Sequence, residues 1–413
     1  MTDGAAEKIR FSCPCGARLS AVPALAGRSI DCPACGRGVP VPPRSTREEA
    51  AGPPRPAAPR GPARPRARPE TRPDGWRRWG RWSLVAALIP LGVYTVGARE
   101  GTVERLRRTL DRHPEVAERA GIEEDIDQSS LASVERALQL LPGKKIEGAF
   151  VSRSTLLHWI AAAIAACLFW EFILIVQPMG NATSWQLWKV GLFTGTVGIF
   201  VLLLIQEAAF RMPAERSLRG PGSVVFIILR LIGWSYVAAL DPDSGFLLSL
   251  VGFTLGVGIL EEVVKAVPLY WHFRRTGTLD ARGAVVWGLA TGIGFGVSEG
   301  VSYSSDFYNG LEPPGIYVVR FISCVGLHAV WSATSAVFLW RLRDSIRDSA
   351  AWYGWIPAAA LSLGPSVALH GLYDTLLKKE MSAMALGCAF ASFALFFWLY
   401  DRAVRREPRL SAA

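Results

Sequence analysis

The sequence is poor in charged residues: Asp, Glu, Lys and Arg make up 19% of 413 residues, against about 25% in a typical soluble domain. Its seven cysteines are unevenly placed, with four in the first 35 residues. Residues 1–10 lack the apolar core of a secretory signal peptide, so we expect the N-terminus to stay in the cytoplasm. With the long apolar blocks described next, these features exclude a wholly soluble enzyme, a collagen and a secreted disulfide scaffold.

The apolar residues are gathered in long blocks separated by charged connectors. About 20 residues at 1.5 Å rise cross a hydrocarbon core of about 30 Å, so such blocks predict membrane helices. Neither strand alternation nor an internal repeat stands out. We therefore predict an all-α polytopic membrane protein with about eight core transmembrane helices and one uncertain N-terminal apolar segment. The eight blocks are roughly 155–177, 186–209, 223–240, 246–271, 283–303, 317–340, 353–377 and 383–400.

Two cysteine pairs near the N-terminus predict a small zinc-ribbon-like module over residues 1–42. Cys13 and Cys15 lie in CPCG, and Cys32 and Cys35 lie in CPACG. Four thiolates presented by two tight turns match tetrahedral zinc, with a glycine after each pair permitting the turn. Free or redox-active thiols are the alternative. The first pair, Cys-x-Cys, is one residue shorter than the usual knuckle.

The remaining chain divides by composition. We predict a Pro/Arg-rich disordered linker at 43–81, an apolar segment at 82–98 that spans or re-enters the membrane, and a polar helical interlude at 99–153. One group of transmembrane helices follows at 154–222, a second group at 223–401 and a basic tail at 402–413.

Connector charge predicts the topology. Arginine clusters near 211–219, 274–282 and 341–347, and in the tail, are expected inside. PMGNATS, DPDSG and SSDFYNGLEPPG are then outside. The same alternation puts 99–153 inside, which conflicts with a cytoplasmic N-terminus if 82–98 spans the membrane.

Charged residues within apolar blocks are costly in a membrane and mark functional sites. In GILEEVVKAVPLYW, Glu261 and Lys265 are spaced i, i+4 and can pair along one helix face. Glu262 points about 100° away. Two carboxylates and one ammonium leave a negative charge that a proton, a metal or another cation must neutralise. A carboxylate in such surroundings suits a general base.

Three later blocks carry further polar residues. Glu299 follows Phe295 at i, i+4 among glycines in GIGFGVSEGVSY, and His328 lies mid-block in SCVGLHAVWSATSA. His370 and Asp374 are spaced i, i+4 in VALHGLYDTLL, so Asp374 can fix the histidine tautomer, as carboxylates do beside metal-bound histidines. At a rise of 1.5 Å per residue, the polar residues lie at different estimated depths in the membrane. They can therefore meet only if the helices are tilted or offset.

EEVVK, FGVSE, LHAVWS and HGLYD occur in this order on successive helices. This series resembles the motifs of the PrsW family of intramembrane proteases, within a clan that includes CAAX prenyl proteases and Abi proteins. The resemblance covers roughly 223–400. It therefore implies a protease core over residues 223–401 and makes the helices at 154–222 accessory. It implies peptide-bond hydrolysis in or near the membrane, with Glu261, Glu262, Glu299, His328 and His370 as catalytic residues. Lys265, Phe295 and Asp374 are supporting residues.

Two mechanisms are compatible with the resemblance. In one, Glu299, His328 and His370 bind zinc or another divalent metal, and Glu261 or Glu262 takes a proton from water. In the other, a Glu–His pair activates water without metal. Lys265 is expected to tune the glutamate pair rather than to react.

The resemblance also bears on partners. We expect a membrane-protein substrate, such as a single-span regulator of the anti-sigma type, within the bacterial cytoplasmic (inner) membrane. Nucleic acid is not expected as a partner, and the partner of the zinc module is unknown. The alternatives are a non-proteolytic scaffold or transporter that uses buried charges, and a protease of CAAX or leader-peptide type. A transporter is expected to contain repeated halves with broken helices, and the sequence shows no such repeat.

Overall fold

The computed structural model describes residues 9–15, 17–42, 74–97, 101–122, 131–149, 152, 155–176, 180–211, 223–275, 278–304, 310–348 and 355–410. The chain forms two compact units, Met1–Glu70 and Thr71–Ala413.

The first unit contains two antiparallel hairpins. Strands β1 (Ile9–Ser12) and β2 (Arg18–Ala21) pair with Ile9 opposite Ala21, and β3 (Ser29–Asp31) and β4 (Gly38–Pro40) pair with Ser29 opposite Pro40. Each hairpin turn carries one cysteine pair. Strands this short bury too little apolar surface for a stable core, so a metal is the expected source of stability.

The second unit is helical. Its first helix begins at Asp74, inside the predicted linker of residues 43–81 and before the predicted apolar segment of residues 82–98. Its helices, in chain order, are α1 (Asp74–Val85), α2 (Ile89–Val96), α3 (Thr102–Asp111), α4 (Pro114–Ala120), α5 (Leu131–Leu140), α6 (Thr155–Val176), α7 (Ser184–Phe193), α8 (Ile199–Phe210), α9 (Ser223–Leu240), α10 (Phe246–Gly252), α11 (Ile259–Arg275), α12 (Ala281–Tyr303), α13 (Pro314–Val318), α14 (Val325–Arg341), α15 (Arg343–Asp348), α16 (Trp355–Lys378) and α17 (Ser382–Leu410).

Among the described residues, seven helical segments are long and apolar enough to cross a membrane, which confirms the predicted polytopic fold. Three of them are continuous through π-helical turns at Thr194–Gly198, Phe253–Gly258 and Val319–Cys324. The seven segments are Thr155–Ile173, Ser184–Phe210, Ser223–Leu240, Phe246–Arg275, Ala281–Tyr303, Pro314–Arg341 and Ser382–Arg405.

The eighth predicted block, 353–377, is helix α16, which is also long but less apolar. His370, Asp374 and two buried serines, Ser362 and Ser366, lower its hydropathy. Helix α16 packs against α14, α17 and the π turn at Phe253–Gly258. It is therefore an interior element that brings polar groups into the bundle.

Helices α12 and α14 form the buried centre of the bundle, with 83% of each spanning window buried. Glycines on α12 allow this contact, because side chains there would meet backbone. A Cβ at Gly292 would lie 2.2 Å from the His328 carbonyl oxygen, and one at Gly294 would lie 2.0 Å from that of Gly191 on α7. The glycine-rich stretch around Glu299 thus positions α12 between α7 and the helix that carries His328.

We expect Gly292→Ala to destabilise the bundle, because the added methyl group would push α14 away. Overpacking of this kind costs about 1–3 kcal/mol. The matched control is Gly387→Ala on α17, where an added Cβ meets nothing within 4 Å. Thermal unfolding in detergent should show a lower Tm for Gly292→Ala only. Equal Tm values for the two variants would contradict the close packing described here.

Contacts between connectors define the two ends of the bundle. At one end, here called the basic end, Asp280 N–H donates to Asn181 Oδ1 over 2.9 Å and an Arg274 guanidinium N–H donates to Arg347 O over 2.6 Å. Arg341 on α14 also reaches the carbonyl oxygen of Leu399 on α17. The PMGNATS connector, which contains Asn181, was predicted on the side opposite to the basic connectors. That prediction is wrong, because Asn181 contacts Asp280 in the basic connector between α11 and α12.

The interlude lies at the opposite end. Helices α3, α4 and α5 share a small core that includes Leu106, Val116 and Leu138. Arg105 donates to Leu311 O over 2.9 Å, and Ile146 N–H donates to Gly310 O over 2.8 Å. The interlude thus contains three helices, which pack on a connector without basic clusters and not at the basic end that charge alternation indicated.

The segment α1–α2 connects the two ends. Arg81 on α1 pairs with Asp401 on α17 at the basic end, and Thr102, just after this segment, donates to Glu312 at the other end over 2.7 Å. These contacts support the spanning alternative for 82–98. They also remove the topology conflict, since one crossing carries the chain from the basic end to the interlude.

Candidate active site

Two of the helices that carry the sequence motifs each follow a π turn. Phe253–Gly258 precedes Glu261 and Glu262 on α11, and Val319–Cys324 precedes His328 on α14. A π turn inserts an extra residue into a helix and changes the face to which later residues point, and such turns are frequent at functional sites. Both turns therefore set the direction of side chains that the sequence predicts to be catalytic.

His370 is held by Glu262 and Trp331. The His370 Nδ1 atom lies 3.1 Å from Glu262 Oε1, and its ring stacks on Trp331 with centroids 4.3 Å apart. The indole Nε1–H of Trp331 donates in turn to Ser392 over 3.0 Å. Because Nδ1–H donates to a carboxylate, the lone pair of Nε2 is left for another partner.

His328 is held in a comparable way by Glu299. The His328 Nε2 atom lies 2.7 Å from Glu299 Oε2, so Nε2–H donates and the Nδ1 lone pair faces the site centre. Lys265 Nζ lies 3.0 Å from this Nδ1 atom and 2.6 Å from Glu262 Oε1. Two carboxylates from different helices thus fix the tautomers of the two histidines.

Glu261 completes the centre. Its Oε2 atom lies 3.7 Å from His370 Nε2 and 3.9 Å from His328 Nδ1. That oxygen is buried and has no hydrogen-bond partner among the described residues. The three residues each offer one ligand atom within 4.8 Å of the others. Two nitrogens and one oxygen converging on one point are the ligand set of many catalytic zinc sites.

Charge also favours a cation at this centre. Four carboxylates, Glu261, Glu262, Glu299 and Asp374, contact only two permanent cations among the described residues of the site, Lys265 and Arg320. With both histidines neutral, two negative charges remain in a membrane interior, where unpaired charge is costly. A divalent ion would compensate these two charges. Lys265 would then lose its contact with His328 Nδ1, which the ion would need, and retain its ion pair with Glu262.

The aromatic residue one turn before Glu299, Phe295, contacts both Lys265 and His328. Lys265 Nζ lies 4.6 Å from the centre of its ring, and the ring packs against His328 with centroids 5.4 Å apart. The cation–π contact holds the buried ammonium where its charge is needed. The supporting roles predicted for Phe295 and Lys265 are consistent with these contacts.

A cavity of about 480 Å³ reaches this centre. Its charged and ionisable lining includes Glu299, Arg320, His328, His370 and Asp374. Asp374 Oδ2 lies 3.4 Å from His370 Nε2, and its side chain is 24% exposed. Asp374 is thus a carboxylate that both approaches the centre and faces the cavity.

Arg320 is the site residue that the sequence motifs do not include. Its guanidinium lies 3.5 Å from Glu299 Oε2 and 3.7 Å from the ring centre of Tyr303. It lies in the π turn that leads into the helix of His328. Arg320 lies near the start of the apolar segment Pro314–Arg341, and a charge within such a segment is a signal of function by the same rule that selected the glutamates.

The structure brings all five predicted catalytic residues together, but it arranges them differently from the predicted metal set of Glu299, His328 and His370. Glu299 bonds the outer nitrogen of His328, whereas Glu261 faces the inner nitrogens of both histidines. Spacing along the sequence could not distinguish these two glutamates, because the distinction depends on which face each helix presents.

The N-terminal cysteines form a second cluster. Cys13 Sγ lies 3.6 Å from Cys35 Sγ, Cys15 Sγ lies 3.8 Å from Cys32 Sγ, and all four sulfurs lie within 4.8 Å of one another. Four sulfurs at about 2.3 Å from a tetrahedral ion lie about 3.8 Å apart. The Ala17 backbone N–H and neighbouring thiols lower the pKa of Cys15 to about 7.

Comparison with known proteins agrees with this geometry. A family model described as PrsW family intramembrane metalloprotease matches residues 182–400, just over half of the chain. The match begins before residue 223, so it includes α7 and α8, which the motifs alone had left out. Neither a curated protein nor a solved structure matches the chain. The resemblance expected from four short motifs is thereby confirmed, and the chain belongs to the PrsW family of intramembrane metalloproteases.

Proposed function

We propose that this protein is a zinc-dependent endopeptidase in which Glu261, His328 and His370 hold the catalytic metal. The observation that carries the proposal is the buried Glu261 Oε2 atom, which lacks a hydrogen-bond partner among the described residues and faces one nitrogen of each histidine. The two nitrogens have lone pairs towards it because Glu262 and Glu299 bond the opposite sides of the rings.

A divalent metal at this site supplies the Lewis acidity that makes water a nucleophile at neutral pH. Asp374 is the proposed proton acceptor, because it faces the cavity and lies beside His370. It takes a proton as the water oxygen bonds to the carbonyl carbon. It then gives that proton to the leaving nitrogen as the peptide C–N bond breaks. Arg320, in the same cavity, is placed to stabilise negative charge on the carbonyl oxygen.

The proposed role of Glu262 is to position His370, and that of Glu299 is to position His328. Glu262 is fully buried and bonded to Lys265 and His370, so it has no access to the cavity lining. This assigns the proton transfer to Asp374 rather than to the glutamate pair. Carboxylates that orient metal-bound histidines are typically worth 10–100-fold in metal affinity or activity.

The proposal is tested with purified full-length protein in proteoliposomes that contain a pool of synthetic single-span peptides. New peptide N-termini are identified by mass spectrometry. We expect them with the wild type and not with Glu261→Gln. Glu171→Gln serves as control, because Glu171 lies on an exposed face of α6. Equal cleavage by wild type and Glu261→Gln would refute the assignment.

We further propose that the natural substrate is a membrane-anchored regulator, for which an anti-sigma factor is the model. The location of the active site inside the helix bundle supports a membrane-anchored chain over a soluble one. The basic end of the bundle, rich in arginine, is proposed to face the cytoplasm of a bacterial cell. Because α1 begins at that end, the cysteine module is proposed to be cytoplasmic as well.

The cysteine cluster is proposed to be a structural zinc site. Cys32→Ser should remove one zinc per chain and unfold the module, since binding energies of structural zinc are about 10–16 kcal/mol. Cys167→Ser, an exposed cysteine on α6, should retain the zinc. Elemental analysis of the two purified variants gives the comparison. Full zinc content in Cys32→Ser would contradict the four-cysteine assignment.

A further inference from the structure

We infer that α2, which lies outside the residues matched by the family, forms a wall of the active-site cavity and selects the substrate residues next to the cleaved bond. Leu91, Tyr94 and Thr95 line the cavity that also contains His328 and His370. Their spacing of i, i+3 and i+4 places them on one face of the helix. The inference rests on the proposed proteolytic function.

The other face of α2 points away from the bundle. Ile89, Val93 and Val96 are 62%, 68% and 84% exposed, as expected for residues against lipid. The cavity wall also includes Tyr236 and Leu240 of α9 and, from the π turn at Phe253–Gly258, Phe253 and Val257. The space between the walls is apolar, with the polar catalytic groups in its lining. Such a space accepts apolar side chains of an extended peptide while the scissile bond reaches the catalytic groups.

The hydroxyl group of Ser323 links α2 to the segment that leads into α14, the helix that carries His328. Pro90 has no N–H, and the helix is broken just before it by a 3₁₀ turn at Ala86–Leu88. The buried Ser323 Oγ enters this break, accepts from Leu91 N–H over 3.1 Å and donates to Ala87 O over 2.6 Å. Ser323 lies in the π turn that also carries Arg320. The position of α2 is therefore tied to the segment that leads into His328.

Close packing fixes α2 on its remaining sides. A Cβ on Gly315, at the start of the α13 segment, would lie 3.3 Å from the Tyr94 ring, and one on Gly92 would reach Leu386 of α17 at 4.0 Å. The Thr95 hydroxyl donates to Leu91 O over 2.7 Å, which leaves its methyl group as the apolar part of that side chain. The width of the cavity at α2 thus depends on the side chains at 91, 94 and 95.

The matched pair Thr95→Trp and Val93→Trp tests this inference. Both add an indole to α2, but only position 95 lines the cavity. In proteoliposomes with the single-span peptide pool, Thr95→Trp should reduce cleavage beside large residues relative to small ones by about tenfold. Val93→Trp should leave that preference unchanged. Thr95→Ala is the second variant, and it should shift the preference towards large residues without a risk of overpacking.

A second measurement does not require turnover. Incorporation of p-benzoylphenylalanine in place of Thr95 should give a photo-adduct with a labelled single-span peptide that excess unlabelled peptide suppresses. The same group in place of Val93 should give no competable adduct. A competable adduct without any cleavage by the wild type would uphold the wall and refute the proposed function. Cleavage with an unchanged preference in both Thr95 variants and no competable adduct would overturn the inference.

Discussion

Glu261→Gln is expected to remove the metal from the membrane site and to abolish peptide-bond hydrolysis. The amide keeps the size of the side chain but loses the charge that faces His328 and His370. Without that charge, the ammonium of Lys265, 3.6 Å from Glu261 Oε2 and paired with Glu262, is no longer balanced at the centre and opposes a second cation. Metal content per chain and cleavage of the peptide pool are measured on the same preparation.

Glu171→Gln is the control for this variant, since it makes the same chemical change on an exposed face of α6. It should retain both metal and activity. A Glu261→Gln protein that keeps its metal and loses only activity would make Glu261 the base and restore Glu299 to the metal set. That outcome would favour the metal arrangement expected from the sequence over the one proposed here.

Asp374→Asn is expected to separate metal binding from catalysis. Asp374 lies beside His370 and faces the cavity, so its loss removes the proton acceptor but none of the three proposed ligands. General acid–base catalysis typically contributes about 10²–10⁴-fold, and we expect a loss of kcat of that order with unchanged metal content. The rate is measured with a single peptide chosen from those cleaved by the wild type.

Asp243→Asn is the matched control, because Asp243 is exposed in the connector between α9 and α10. It should cleave the same peptide at the wild-type rate. If Asp374→Asn retained full kcat, the proton acceptor would have to be another carboxylate of the cavity, and Glu299 is the one available among the described lining residues. A loss of metal in Asp374→Asn would instead make Asp374 a fourth ligand.

The helical fold and the candidate site residues could be predicted from the sequence, because a membrane constrains both the length of apolar runs and the presence of charge within them. A run of about 20 apolar residues is rare outside a membrane span, and a charge within it must have a partner or a function. His370 and Asp374 lie in α16, whose own polarity kept it from the seven clear spans. The order of the motifs nevertheless predicted that His370 would meet the other motif residues, and in the structure it contacts Glu262. The cysteine spacing likewise predicted a cluster that the structure forms.

The direction of each side chain was not accessible. The π turns at Phe253–Gly258 and Val319–Cys324 change the helix phase just before Glu261, Glu262 and His328, and no composition rule marks these turns. The choice between Glu261 and Glu299 as the residue facing both histidines depended on that phase. Likewise, the end of the bundle that carries the interlude follows from hydrogen bonds of Arg105 and Ile146, which connector charge does not encode.

The proposal that metal at Glu261, His328 and His370 drives hydrolysis is tested most directly by one titration. A full-length variant with Cys13, Cys15, Cys32 and Cys35 replaced by Ser confines tight binding to the membrane site. Chelator is added stepwise, and bound metal and cleavage of the peptide pool are read from each sample. We predict one metal per chain at the start, a parallel loss of metal and cleavage, and recovery of both when zinc is restored. Cleavage that persists after the metal is gone would contradict the account.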